Sequence, residues 1–364
     1  MLVTYKDIAR RAKVSRTTVH LALTNSPQLP ASTRERIRKV ADRLGYVPNP
    51  LASAFQSEVR RGREAKFRCT LGWLSDHPAP FWGTSPYGKA LWESAMRRAA
   101  SQGYHLDVIP VELAGEHVEQ GSVDAALRIM RAHGIPGAII PQPVSSDLNY
   151  ADWREMAIIL LSTHTLYVWE GLLRQPGPLP YHTVRPDYAE NVSTLMAELG
   201  RLGYRRPGLV LSRWMDAQSD GQERAMFLVH AAALAGGDAV PVYFHEVAEA
   251  VAPDSFRDWL RRYKPDVVVC RHFETRGWIE QSGLRIPADI GLAHLALGHL
   301  ESGWSGMDPR LGLLAEAAVD MLTAHLQRNE RGRPPYVKDL LISGVWTPGT
   351  TVRRAARKQR ERRR

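Results

Sequence analysis

Between Ser15 and His20 stands a short run, Ser-Arg-Thr-Thr-Val-His, whose residue types suit contact with a nucleic-acid base edge. Arg16 carries a forked pair of N–H donors that matches the two acceptors on the major-groove edge of guanine. Thr17 and His20 can bond bases or phosphates. The spacing 16, 17, 20 puts these three on one side of a helix, while Val14, Val19 and Leu23 fall on the other. Charge agrees with this reading. Residues 1–66 hold 14 Lys/Arg against 5 Asp/Glu and residues 353–364 hold 8 against 1, in a chain of net charge +10, which leaves the stretch between them acidic. An anionic partner suits both ends, although for the second basic run a merely solubilising role is equally compatible.

Other chemistries find no foothold. Gly83-Thr84-Ser85-Pro86-Tyr87-Gly88 lacks the Gly-x-Ser-x-Gly spacing of a nucleophile elbow. No Gly-rich phosphate loop and no Gly-x-Gly-x-x-Gly turn follows the first strand. The 13 histidines are scattered, and His245-Glu246 lacks the second histidine of a metalloprotease helix. No catalytic residue, metal site or cofactor is expected. Two rival binding classes stand beside a regulator: a secreted solute-binding protein and a non-specific DNA-binding protein. The first needs a signal peptide, and Met1–Asp7 carries an acid and no long apolar run. The second has no use for an organised base-facing helix, because phosphate contacts alone do not require one. Cys69 and Cys270 each border an apolar run, as reduced core cysteines do. With no run of membrane-spanning length, the expected address is the cytoplasm, close to the nucleoid, with no membrane partner.

Short helices must position the base-facing run. Thr4 with Asp7 three residues on predicts a capped first helix carrying Ile8, Ala9 and Ala12 inward. A tight turn at Lys13-Val14 leads to Ser15, the expected N-cap of a second helix over 16–23. Asn25-Ser26-Pro27 breaks it. Ser32-Thr33-Arg34-Glu35 reads as a capping box for a third helix with Ile37, Val40, Ala41 and Leu44 on one face and Gly45 as its stop. Two helices about a tight turn and a third closing their core make the helix-turn-helix plan.

From about residue 68 short apolar runs alternate with helical stretches. Strands are expected at 69–74, 105–109, 137–140, 157–161, 208–211, 240–244, 266–270 and 290–293. Helices are expected near 87–102, 121–133, 188–202, 217–235, 254–262 and 310–328. Such alternation predicts parallel sheets covered by helices, and its near-repeat about residue 185 predicts two lobes with a ligand cleft at the carboxyl ends of the strands. The expected fold class is therefore multidomain: an all-α helix-turn-helix head and an α/β two-lobed core with parallel sheets. The expected divisions are a head at 1–47, a hinge and linker at 48–66 and a core at 67–352. Within the core, the N-lobe takes about 67–184 plus 305–335 and the C-lobe about 185–304 plus 336–352. A basic tail, 353–364, is expected to stay disordered.

Val3-Thr4, Asp7-Ile8-Ala9, Ala12, Val14-Ser15, Thr18-Val19, Thr33-Arg34 and Leu44-Gly45-Tyr46-Val47-Pro48-Asn49 resemble, without gaps, the N-terminal signature of the lactose-repressor/galactose-repressor (LacI/GalR) family. Weaker landmarks continue through Gly103-Tyr104, Leu202–Pro207, Arg285–Gly291 and Gly344-Val345-Trp346. The resemblance implies a homodimeric transcriptional regulator, with repression the commoner mode. Its core resembles periplasmic binding proteins, with a small-molecule effector, a sugar or sugar derivative, between the lobes. It also implies a pseudo-palindromic double-stranded DNA operator and a hinge helix after Pro48-Asn49. With it, Thr4, Ser15, Thr18, Asn25, Tyr46, Asn49, Leu51 and Ala52 join Arg16, Thr17 and His20 as expected DNA contacts. Phe55 takes the place of the family's minor-groove leucine wedge, or packs against the partner hinge or the core. For the effector the resemblance points to the loop with Asp76, Phe81 and Trp82, to Arg224 in a helix that often supplies an arginine, and to Trp304 as a residue closing the cleft. Where the family usually places an Asn-Asp pair after the strand at 266–270, this chain has Arg271-His272-Phe273-Glu274. Arg271 and His272 then suit an anionic or differently shaped ligand better than an unmodified hexose.

Overall fold

The computed structural model describes residues 4–23, 26, 28–44, 46, 68–75, 83–84, 86–111, 113–114, 117–118, 120–141, 153–161, 181–236, 239–245, 252–298 and 303–354. The head is three helices, α1 (Tyr5–Ala12), α2 (Arg16–Leu23) and α3 (Ala31–Arg43). Thr4 starts α1 by donating from both its backbone N–H and its hydroxyl to the Asp7 carboxylate, at 3.0 and 2.7 Å. Lys13 ends it in the left-handed conformation, φ 53°, which turns the chain sharply into α2. Ser15 caps α2 by accepting the Thr18 N–H at 3.0 Å. Ile8, Ala9 and Ala12, Val19 and Ala22, and Ile37 and Ala41 are buried together, so each helix gives one apolar face to a common core.

The start of α3 differs from its expected capping box. The helix begins at Ala31 with Pro30 as N-cap and no side-chain cap, and Ser32 lies inside the first turn. Proline's fixed φ suits the entry into a helix, and Arg34 ties the preceding loop to the helix by donating to the carbonyls of Ser26 (2.9 Å) and Leu29 (2.8 Å). Gly45 lies outside the described residues.

Two six-stranded sheets form the body. The first runs β13-β7-β6-β5-β1-β2, all parallel, from β1 (Cys69–Ser75), β2 (Tyr104–Pro110), β5 (Gly137–Ile140), β6 (Ala157–Leu161), β7 (His182–Pro186) and β13 (Asp339–Ile342). The second runs β14-β12-β11-β10-β8-β9, from β8 (Pro207–Ser212), β9 (Tyr243–His245), β10 (Val267–Cys270), β11 (Gly291–His294), β12 (Ser305–Asp308) and β14 (Val345–Thr347). Only its last pair is antiparallel. A short hairpin, β3 (Leu113–Ala114) with β4 (His117–Val118), stands apart. Helices α4 (Pro86–Ser101), α5 (Gln120–Ala132) and α11 (Leu311–Gln327) belong to the first lobe. Helices α6 (Tyr188–Arg201), α7 (Arg213–Gln218), α8 (Gln222–Ala235), α9 (Asp254–Tyr263) and α10 (Glu274–Gln281) belong to the second. Among the described residues each sheet has an apolar cluster on both faces, which is why the strands read as continuous apolar runs. Arg98 on α4 clamps α11 through a bidentate pair with Asp320, at 2.6 and 2.7 Å.

Several expectations need correction. The helix expected at 217–235 is two, α7 and α8, because Asp220 and Gly221 adopt left-handed φ of 56° and 67° between them. The strand expected at 240–244 shrinks to Tyr243–His245. Pro241 has no N–H to pair, and its carbonyl instead accepts the Trp259 indole N–H at 2.7 Å. Strands β7, β12, β13 and β14 and helix α10 were not anticipated. They place the lobe crossovers after β7, after β12 and after β13, so 305–308 belongs to the second sheet and 339–342 to the first, unlike the expected divisions at about 305 and 336. Ser-Gly-Met-Asp at β12 carries no apolar pattern to announce a strand. Gly306 is there because the His294 backbone lies where a Cβ would project. The hinge and linker at 48–66 lie outside the described residues.

Candidate nucleic-acid interface and inter-lobe cleft

In the head, α2 presents Arg16, Thr17 and His20 as exposed side chains, opposite buried Val19 and Ala22. Ser15 and Thr18 join in one hydroxyl pair at 2.8 Å at the amino end of the helix, so both fix that end as well as facing outward. The His20 ring lies 6.2 Å from Tyr5, and Tyr5 lies 5.6 Å from Tyr46. The base-facing helix is thus braced by aromatics from α1 and from the segment after α3. Burial raises the Tyr46 hydroxyl above its ordinary range, with Tyr5 adding to the effect, so it stays a neutral donor. Thr4, half its bonding given to Asp7, sits exposed at the start of α1. Asn25, Asn49, Leu51, Ala52 and Phe55 lie outside the described residues.

The three crossovers leave from the carboxyl ends of β7, β12 and β13, so the carboxyl edges of the two sheets face one another. Arg185 of β7 reaches from the first sheet toward Gln222 at the start of α8 (3.5 Å) while its Nε and Nη2 bond Asp339, each at 2.8 Å. At the carboxyl edge of the second sheet Arg271 follows β10 and is sealed with Glu223. One guanidinium nitrogen lies 2.6 Å from both carboxylate oxygens, and the two side chains are 9% and 3% exposed. Burial opposes the charge on Arg271, but Glu223 and the Tyr188 hydroxyl outweigh it and hold the guanidinium protonated. The Tyr188 ring lies 5.9 Å from that guanidinium.

His272 comes next in sequence, with its Nε2 buried and without a hydrogen-bond partner among the described residues. Burial, helped by His245 at 4.5 Å between ring centroids, lowers it to about 4, so it is neutral at physiological pH. His294, beside Cys270 in the adjacent strand, is lowered to about 3 by its complete burial. Arg224 points into an ion pair with Asp216 at 2.9 Å and remains partly exposed. Arg271 and His272 thus follow one another after β10, whereas Arg224 on α8 turns to Asp216. Trp304 does not line it openly. It is 2% exposed, set edge-on to Phe273 (5.1 Å) and His294 (5.6 Å) in the core beneath. Asp76, Phe81 and Trp82 lie outside the described residues. Glu223, Tyr188 and Arg185 escaped the sequence reading. Glu223 stands in an apolar helix with nothing local to mark it, because its partner is 48 residues away.

The comparisons with known proteins agree with this geometry. The sequence pattern described as "Bacterial regulatory proteins, lacI family" matches residues 4–49. Among curated relatives, the probable HTH-type transcriptional repressor ExuR of Bacillus subtilis is 50% identical over 48 residues, 13% of this chain and 14% of that one. The HTH-type transcriptional regulator PtxS of Pseudomonas plecoglossicida is 27% identical over 224 residues, 61% of this chain and 57% of that one. The matched segments thus span less than two thirds of either relative's length. The Lac repressor dimer bound to operator and the anti-inducer ONPF is similar in fold, with TM-score 0.53 and 16% identity over 97% of this chain and 100% of that one. The regulator CelR in complex with cellobiose has TM-score 0.53 and 16% identity, over 96% and 99% of the two chains. The head thus carries the pattern of the lacI family of bacterial regulatory proteins over residues 4–49, joined to a two-lobed body with the fold of the Lac repressor.

Proposed function

We propose that the chain is a sequence-specific DNA-binding transcriptional regulator, a repressor acting as a homodimer on a pseudo-palindromic operator, with its affinity set by a small molecule in the inter-lobe cleft. The observation that carries the reading is the capped, braced α2 with Arg16, Thr17 and His20 on its exposed face, inside the segment matching the LacI domain. Arg16 takes the bidentate guanine contact, and Thr17 and His20 the neighbouring bases or phosphates. Thr4, Ser15, Thr18 and Tyr46 hold the head against the backbone. Asn25, Asn49, Leu51 and Ala52 are further contacts, and Phe55 is the minor-groove wedge. No catalytic step belongs to this reading. Among the described residues no helix is long and apolar enough to cross a membrane.

The effector is a sugar or sugar derivative, the class that the CelR neighbour holds as cellobiose. Asp76, Phe81, Trp82, Arg224, Arg271 and His272 line its place. Trp304 acts from beneath through Phe273, not as a lid. A ligand at this edge meets Arg271 already neutralised by Glu223, so it must bridge the pair or exploit the unpartnered His272 nitrogen. Because ligand and DNA are linked through one lobe equilibrium, each shifts the other's affinity by the same factor.

Selection of bound sites from random duplexes by the full chain, at near-physiological salt, tests the reading. One palindromic motif is expected, and repetition with sugars and sugar acids should strengthen or weaken its recovery. No motif under any of these conditions overturns the regulator reading. Arg16→Ala should cost about 1–3 kcal/mol on that motif and relax one base position; an equal loss on all DNA would make Arg16 a phosphate contact instead.

A further inference from the structure

The second lobe holds a cavity that the proposed function does not use. It lies at the amino edge of the second sheet, where Pro265 leads toward β10 and Ile290 into β11, and has a volume of about 790 Å³. Arg271 and His294 mark the other ends of the same two strands, so the cavity and the inter-lobe cleft lie at opposite edges of the sheet. Ligand pockets run from about 300 to 1,000 Å³, so this one is of a size to hold a small molecule. The sequence of α9 gives it two kinds of wall. Phe256, Trp259 and Leu260 are buried against the sheet, while Arg257, Arg261 and Lys264, spaced i, i+4, i+7, form a cationic stripe beside them. Leu284 and Ile290, from the chain after α10, join Leu260 in an apolar floor.

Partners account for little of this positive charge. Arg257 gives Nη1 to Asp254 at 2.9 Å and Arg261 gives Nη2 to Asp258 at 2.8 Å, but those acids are 92% and 72% exposed and neither lines the cavity. Ion pairs so open to water hold weakly. Lys264 has no carboxylate partner among the described residues, and its N–H closes α9 on the Leu260 carbonyl at 3.0 Å. Of the described lining residues only Asp289 is acidic, and Arg285 engages both of its oxygens at 2.8 and 2.9 Å. The carbonyl ends of α9 and α10 add about half a negative charge each, which three lining cations outweigh. One donor is stranded: Arg257 Nε is buried and has no hydrogen-bond partner among the described residues. A buried N–H without an acceptor costs stability, and a ligand oxygen supplies that acceptor.

We propose that this cavity is a second ligand site, which takes a small organic anion: a carboxylate or phosphate head on an apolar body. The head meets Arg257 Nε, Arg261 and Lys264, and the body lies on Leu260, Leu284 and Ile290. Two guanidinium groups suit the paired oxygens of such a head. The apolar floor favours a molecule with a body over a free inorganic ion, because only the former removes apolar surface from water. The site depends neither on the DNA reading nor on the nature of the ligand in the inter-lobe cleft.

Isothermal titration of the full chain tests this with 2-naphthoate and phenyl phosphate, and with 2-naphthol and inorganic phosphate as the uncharged and bodiless controls. At least one organic anion should bind with one equivalent per chain, and both controls should bind about tenfold more weakly or not at all; whichever anion binds better names the head. Arg261→Gln/Lys264→Gln, at exposed positions, should weaken that anion about tenfold or more through loss of two charged contacts. Arg261→Lys/Lys264→Arg keeps the charge and should keep most of the affinity. Thermal midpoints close to that of the parent chain show that both variants are folded. Binding of neither anion, equal binding of 2-naphthol, or unchanged affinity in the glutamine variant overturns the proposal. So does loss of binding on His272→Ala with the glutamine variant unaffected, which places the anion in the inter-lobe cleft. Failure of the operator selection, by contrast, leaves this site untouched.

Discussion

Glu223→Gln isolates the sealed ion pair at the cleft. The substitution keeps the shape of the side chain and removes its charge, leaving the Arg271 guanidinium 9% exposed beside the Tyr188 ring with no counter-ion. A guanidinium does not escape by giving up its proton. The loss of one partner from a buried pair costs about 3–5 kcal/mol, about a fifth or more of the stability of an ordinary domain at about 5–15 kcal/mol. With a urea slope of about 3 kcal/mol per molar, the midpoint should fall by more than about 1 M. Removing both charges, as Glu223→Gln/Arg271→Met, should restore much of it, because desolvating the pair offsets much of its attraction. Arg271→Met alone should be costly too, since it leaves the Glu223 carboxylate buried without its partner. Urea titrations of the four chains followed by tryptophan fluorescence give both single costs and the coupling. If Glu223→Gln costs less than about 1 kcal/mol, the pair is not the buried, mutually dependent unit described.

Lowering the pH should weaken the second lobe. His272 and His294 are held neutral in the fold, at about 4 and about 3 against an ordinary 6.5, by burial above all. The unfolded chain therefore takes up protons that the fold refuses, and stability falls as pH drops from about 6.5 toward 4, by up to about 1.4 kcal/mol per unit for each ring. Urea midpoints at pH 7.5, 6 and 5 check this, and a flat series contradicts it. Ser15→Ala should destabilise the head by about 1 kcal/mol through loss of the α2 cap, read as reduced helicity of the head on heating, with the body's transition unmoved. Cys270, which burial pushes up to about 12, should resist alkylation at neutral pH until urea opens the lobe. Rapid labelling in the native state would show that β10 is not the closed strand described.

The head was legible because everything that specifies it is local. The Thr4–Asp7 box, the Ser15 cap and the 3.6-residue spacing of Ile8, Ala9 and Ala12 lie within one or two turns of the residues they organise. The main strands of the body announced themselves in the same way, as apolar runs buried on both faces. The cleft was legible only in outline. Arg271 stood out as a departure from the LacI/GalR pattern, but its meaning depends on Glu223, which faces it from α8 once β8 and β10 lie side by side. Trp304 read as a loop residue able to close over a ligand. Packing against Phe273 and His294 made it core instead. Strand β12 carries too little local preference to be seen and β13 is only four residues long, yet they decide which lobe each C-terminal stretch joins. Sequence alone determined the elements whose stabilising contacts are near in the chain: the three-helix head, its exposed Arg16–His20 face and the alternating strands and helices behind it. Tertiary structure decided what rests on distant pairs, namely the crossovers and the sealed Arg271–Glu223 floor, because burial and ion pairing depend on neighbours that only the folded chain brings together.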